Sequence, residues 1–208
     1  MSLGTLILVA GPSGAGKETL IRLARRQLGE DARFRFVRRV ITRPGDAGAE
    51  DHEPAGGEDF ARRKAEGAFA LSWDAHGLSY GVPRAMEDDL AAGRVVVVNV
   101  SRAIVPETVS RYPNSRLVIV TAPPETLAAR LAARGREPQA ELGARLGRPE
   151  LATPAGIRPV VISNDRGPQE GAEALIAILL QCAPAPPSPL PTAAALAGEA
   201  ILTIEKTT

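Results

Sequence analysis

The stretch Thr5-Leu6-Ile7-Leu8-Val9-Ala10-Gly11-Pro12-Ser13-Gly14-Ala15-Gly16-Lys17-Glu18-Thr19 decides how the rest of the chain is read. Its first six residues form a short apolar run with little polar interruption, the pattern of a strand buried on both faces of a parallel sheet. Glycine closes the run, and helical spacing begins at once over residues 19–28. Strand, glycine-rich turn and helix in that order make a phosphate-binding loop. The glycines let successive backbone N–H groups curl around phosphate oxygens, and the start of the helix adds partial positive charge. Lys17 stands where it reaches the β and γ phosphates of a nucleotide. Gly11, Pro12, Ser13, Gly14, Ala15, Gly16, Lys17, Glu18 and Thr19 are therefore all candidate contacts to ATP. A tight turn that merely contains a lysine is the bland alternative, and the flanking strand and helix argue against it.

Further apolar runs follow at residues 95–98, 117–120 and 160–162, with helical spacing at 86–92, 125–133 and 170–180. Strands alternating with helices imply βαβ units, hence an α/β chain with a mostly parallel sheet in a three-layer P-loop arrangement. Residues 44–83 break this rhythm with Gly, Asp and Glu, as an insertion would, and substrate contacts are expected there. The run Ala183-Pro184-Ala185-Pro186-Pro187-Ser188-Pro189-Leu190-Pro191 favours extended polyproline conformations and builds no core. One domain over 1–182 is expected, with an acceptor-binding insertion at 44–83 and a Pro/Ala-rich tail at 183–208.

Lys and Arg number 25 against 24 Asp and Glu, a net charge of +1, so the overall field of a nucleic-acid or anionic-membrane binder is absent. Neither partner is expected. One cysteine, Cys182, permits no intramolecular disulfide, and two histidines beside it speak against a zinc centre. No apolar run approaches the roughly 20 residues of a bilayer span, and the first apolar stretch, Leu6 to Ala10, lacks a basic region ahead of it and a plausible cleavage site. A cytoplasmic protein, monomer or homodimer, acting on a small molecule is the expectation.

Glu18 occupies the place where a serine or threonine hydroxyl ordinarily meets Mg²⁺. Either its carboxylate joins the metal shell or Thr19 takes over, since oxygen ligands suit magnesium in both cases. A first-turn glutamate favoured by the helix dipole is the third reading. Phosphoryl transfer needs positioning and charge neutralisation more than acid–base chemistry, so arginines and Mg²⁺ are expected to dominate the site.

The Gly-Pro-Ser-Gly opening of the loop resembles the guanylate kinase superfamily. Ile41-Thr42-Arg43 resembles the segment that brings an arginine to the acceptor phosphate, and Leu78-Ser79-Tyr80-Gly81-Val82 resembles the Tyr-Gly element that supplies a second phosphate contact. The stretch from Glu125 through Arg130 to Arg134-Gly135-Arg136-Glu137 resembles the helix leading into an arginine-bearing lid. The resemblance runs from about residue 5 to 180, with departures. The glutamate that reads guanine is missing from Ala70-Leu71-Ser72-Trp73. Asp46 stands for a second acceptor arginine, and His52 for a phosphate-binding tyrosine.

Those departures, together with Ile41-Thr42-Arg43-Pro44, Ala47-Gly48-Ala49-Glu50-Asp51-His52 and Val98-Asn99-Val100-Ser101-Arg102-Ala103, are similar to one branch, the ribose 1,5-bisphosphate phosphokinases of bacterial phosphonate breakdown. The resemblance implies transfer from ATP to ribose 1,5-bisphosphate, giving ADP and 5-phosphoribosyl 1-diphosphate. It implies acceptor contacts at Arg43, His52, Ser72, Tyr80, Asn99 and Arg102. It also implies a lid at 134–148 whose Arg134, Arg136 and Arg145 close over the transferring phosphoryl, with Asn164 bordering the adenine. Rival expectations are a guanylate kinase, disfavoured by the absent glutamate, and a non-catalytic binding module, disfavoured by the intact Lys17 and glycines.

Overall fold

A computed structural model describes residues 4–45, 50–133 and 157–185. The opening run forms β1 (Thr5–Ala10), and helix α1 (Lys17–Leu28) starts at the lysine of the glycine turn. Then come β2 (Phe34–Phe36), β3 (Val40–Ile41), β4 (Glu53–Pro54), α2 (Gly57–Ala65), β5 (Phe69–Ala75), β6 (Leu78–Pro83) and α3 (Met86–Ala91). The chain continues through β7 (Val95–Asn99), a short 3-10 turn, α4 (Val105–Arg111), β8 (Ser115–Thr121), α5 (Pro124–Ala133), β9 (Val160–Ser163) and α6 (Pro168–Cys182).

Two sheets result. The first is wholly parallel in the order β2-β7-β1-β8-β9, with Val9 opposite Asn99 and Ala10 opposite Ile119. That register brings the ends of β1, β7 and β8 to one edge, where open parallel sheets bind their ligands. Side chains alternate across the sheet. Ile7, Val9, Val95, Val97, Val118 and Val120 pack with Leu20 of α1 and Leu175 and Leu179 of α6. Leu6, Leu8, Val96 and Val98 pack on the opposite side with Trp73, Val82, Met86 and Leu90. The helical layer, the parallel sheet and the second sheet with α3 make the three layers expected from the sequence.

The second sheet runs β4-β3-β6-β5, with β3 and β5 both antiparallel to β6. β5 and β6 form a hairpin turned by His76 (φ 54°) and Gly77 (φ 70°), the two positive dihedrals that a tight two-residue turn needs. The segment that broke the sequence rhythm thus forms most of a sheet. That sheet also recruits Val40 and Ile41, which precede the segment and are fully buried. The expected lid at 134–148 lies outside the described residues, as does nearly all of the tail. Among the described residues no helix is long and apolar enough to cross a membrane.

Candidate active site

A cleft of about 680 Å³ lies between the two sheets at the carboxyl edge of the parallel one. Its floor is the glycine turn. Gly11, Gly14 and Gly16 hold φ of 142°, 84° and 93°, dihedrals that side-chain-bearing residues rarely adopt. A Cβ on Gly11 would lie 2.0 Å from the carbonyl oxygen of Val120, and one on Gly16 would lie 2.3 Å from Asn164 Nδ2. The chain can form this turn only because these residues have no side chain.

Lys17 Nζ donates to the carbonyls of Gly11 (2.9 Å) and Pro12 (3.0 Å), folding the lysine back over the turn. Burial pulls its pKa from the usual 10.5 to about 8; Glu18 opposes the shift, whereas the cations Arg39 and Arg102 reinforce it. An ammonium so poorly solvated gains strongly from an arriving anion.

The turn is braced from beneath. Asn164, 3% exposed, donates from Nδ2 to the carbonyl of Ala15 at 2.8 Å. Arg130 of α5 donates to the carbonyl of Asn164 at 2.9 Å and approaches that of Gly14 at 3.5 Å. Among the described residues Asn164 Oδ1 is buried without a partner.

The opposite wall comes from the second sheet. Trp73 and Tyr80 face each other across the hairpin, their rings nearly parallel (5°) with centroids 5.3 Å apart. Arg39, just ahead of β3, lies over both rings, 5.6 and 5.1 Å from their centroids. Its Nε and Nη2 donate to the two carboxylate oxygens of Glu50 at 2.7 and 2.6 Å. Burial raises the Tyr80 pKa, while Arg39 and Arg43 pull it back, so its hydroxyl remains a donor at neutral pH.

The structure brings together on this cleft Gly11, Pro12, Ser13, Lys17 and Glu18 from the loop, Tyr80 from the second sheet, Asn99 at the end of β7 and Arg102 just beyond it. Gly14, Ala15, Gly16 and Thr19 complete the turn and first helical residues without lining the cleft, so of the two magnesium candidates it is Glu18 that faces it. Arg43 stands behind the wall, 3.8 Å from Glu50 and 3.4 Å from His52 Nδ1, with its Nε buried and unpartnered.

Three expected contacts sit elsewhere. His52 is 2% exposed; its Nδ1 faces the carbonyl of Glu50 at 2.9 Å and its Nε2 that of Arg43 at 3.1 Å, so the ring staples the 43–52 loop instead of facing the cleft. Ser72 lies on the far side of β5, in a separate pocket of about 290 Å³ with Lys64, Arg84 and Arg111, because strand alternation gives the cleft to Trp73. Asn164 does not line the cleft, and its amide supports the turn from below. Arg134, Arg136 and Arg145 lie outside the described residues.

Sequence reasoning passed over Arg39, Glu50 and Arg130 as site residues. Arg38-Arg39 reads as solvated charge, and the one available signal was an arginine abutting the fully apolar pair Val40-Ile41. Its carboxylate partner lies eleven residues away, beyond any local pattern.

The cradle fits a nucleotide triphosphate: its backbone turn is shaped by glycines that a Cβ would fill, and its lysine is poorly solvated. Glu18 and Asn99 are among the cleft oxygens that suit magnesium. Among the described residues no group of three His, Cys, Asp or Glu could hold a metal ion without further ligands. The fit is therefore to an ion bound mainly through nucleotide phosphates, as magnesium often is.

A parallel sheet, a phosphate-binding loop and a second sheet walling the cleft define a P-loop kinase of the guanylate kinase-like class. The AAA domain family matches residues 7–145. A solved guanylate kinase from Anaplasma phagocytophilum shares the fold at a TM-score of 0.61 and 18% identity, over 86% of each chain. The ribose 1,5-bisphosphate phosphokinase PhnN of Acidiphilium cryptum is 54% identical over 179 residues, covering 86% of this chain and 94% of its relative. Its counterpart in Rhodopseudomonas palustris is 46% identical over 183 residues, covering 88% and 92%. The chain belongs to the ribose 1,5-bisphosphate phosphokinase family.

Proposed function

We propose that the chain transfers the γ-phosphoryl group of ATP to the 1-phosphate of ribose 1,5-bisphosphate, releasing ADP and 5-phosphoribosyl 1-diphosphate in phosphonate breakdown in the cytoplasm. An oxygen of the acceptor phosphate forms the new P–O bond as the bond from the γ-phosphorus to the β–γ bridging oxygen breaks, and no covalent enzyme intermediate is needed. The observation that carries this reading is the single cleft joining Lys17 and the glycine turn to a wall of Arg39, Tyr80 and Arg102, in a chain whose 54% identical relative carries the activity in its name.

The glycine turn holds the donor phosphates. Lys17, poorly solvated and folded over the turn, swaps its two carbonyl partners for phosphate oxygens and offsets charge that shifts during transfer. Arg102 and Tyr80 orient the acceptor, and Arg43 tightens the same wall from behind. Magnesium, when bound, would supply charge that neutralises the phosphates. Glu18 and Asn99 would hold it.

The test is ADP release from Mg-ATP with ribose 1,5-bisphosphate and, in parallel, with GMP. Turnover with the sugar bisphosphate alone is expected. Turnover with GMP alone would replace this reading with a nucleotide kinase.

A further inference from the structure

Arg39 is a cleft cation that the phosphate-binding loop does not account for. It is 6% exposed, yet it lines the cleft. One edge of its guanidinium is fixed by the two Glu50 oxygens and its plane lies against the Trp73–Tyr80 stack. Held on an edge and a face, the group keeps one direction. Among the described residues its Nη1 has no hydrogen-bond partner, so that nitrogen still has donors to give.

Glu50 also stands 3.8 Å from Arg43, so two guanidiniums share one carboxylate and, among the described residues, a net positive charge remains behind the wall. Burying such a pair costs desolvation that its own attraction barely offsets. A ligand anion would supply the missing counter-charge.

Arg39 and Lys17 approach the cleft from different sheets, and the charge of Arg39 is felt at the Lys17 ammonium. An acceptor with one phosphate reacting beside Lys17 therefore extends toward the second-sheet wall. We propose that Arg39 anchors a second, non-reacting phosphate of the acceptor, the 5-phosphate of the sugar, and thereby selects a sugar bisphosphate over a monophosphate. This inference rests on the reading given under Proposed function. A planar guanidinium matches phosphate oxygens two at a time. A ligand with no anion there leaves the donors of Nη1 unpaired in a desolvated site, which is how polar pockets reject analogues.

The test is calorimetric titration of ribose 5-phosphate and, separately, of ATP into the wild-type protein, Arg39→Lys, and the double variant Arg39→Gln with Glu50→Gln. The double variant removes both charges, leaves no orphaned carboxylate, and its folding is checked by circular dichroism and melting temperature. Ribose 5-phosphate is expected to bind about tenfold or more weakly to the double variant and to gain only part of that back in Arg39→Lys, with ATP affinity unchanged within about twofold. Wild-type affinity for ribose 5-phosphate in the folded double variant, no binding to the wild type, or equal losses for both ligands would overturn the assignment. Should the wild type fail to turn over ribose 1,5-bisphosphate, the proposed reaction fails, while these titrations still decide what Arg39 holds.

Discussion

Asn164 reaches from the end of β9 to donate its side-chain N–H to the carbonyl of Ala15, 2.8 Å away in the middle of the glycine turn. The contact joins two segments far apart in sequence and closes the turn from below. It also explains why residue 16 is glycine, since a Cβ there would lie 2.3 Å from the same nitrogen.

Gly16→Ala should therefore abolish ATP binding, through strain at φ 93° as well as the clash. Asn164→Ala should do less, removing one buried hydrogen bond worth about 1–3 kcal/mol, lowering the melting temperature by a few degrees and weakening ATP. Calorimetric binding and thermal melts of both variants check the ranking; a greater loss of ATP affinity in Asn164→Ala than in Gly16→Ala would contradict it.

Lys17→Ala should fold normally and lose about 10²–10³-fold in kcat, the order associated with one preorganised donor to developing charge. Undiminished turnover would remove the phosphate-binding loop from the mechanism.

The pH dependence follows from the same residue. With its pKa lowered to about 8 by burial, free Lys17 loses its proton as pH rises through 8, so kcat/KM for ATP should fall on that limb. Bound phosphates favour the ammonium, so the limb of kcat should lie at higher pH. For stability the sign is opposite: between about 8 and 10.5 the unfolded chain holds more proton at this site, so its contribution improves with rising pH. Initial-rate profiles in both regimes and urea melts at about pH 7.5 and 9.5, compared with Lys17→Met, measure each effect.

His52→Ala should chiefly destabilise. Loss of a buried ring held between the carbonyls of Glu50 and Arg43 costs about 1–3 kcal/mol, which for a chain this size lowers the melting temperature by roughly 2–4 °C per kcal/mol. Acceptor affinity should weaken only as the 43–52 loop loosens. Arg43→Ala should raise the KM of the acceptor well above any change for ATP, and equal losses would count against its place on the acceptor side.

Ser72→Ala should leave kcat/KM for both substrates within about twofold, as a substitution away from the cleft does. A large loss would show that the pocket beside Arg84 and Arg111 communicates with the reaction.

The half of the molecule governed by local pattern was legible in advance. β1, α1, β7, β8 and α6 lie where unbroken apolar runs and helical spacing put them, because each is a long element whose periodicity is set by burial on a large sheet. The second sheet was less so. β3 and β4 have two residues each and β2 has three, too few to establish a period, and they exist only through pairing with distant partners. The same limit applies to the site. Gly11 to Lys17 could be read from spacing, whereas Arg39 with Glu50 depends on a loop folding back. The far face of Ser72 depends on the register of a hairpin. His52 was expected to be polar and functional, and folding has made it a structural staple.

The two walls of the cleft share no strand. The backbone that cradles phosphate belongs to the parallel sheet, while Arg39, Trp73 and Tyr80 ride on the other one. Inheritance can therefore treat them unequally: replacements along the second sheet leave the dihedrals of Gly11, Gly14 and Gly16 untouched. The two halves are thus separately adjustable, the glycine turn from the side of β1 and the facing wall from the side of β3, β5 and β6.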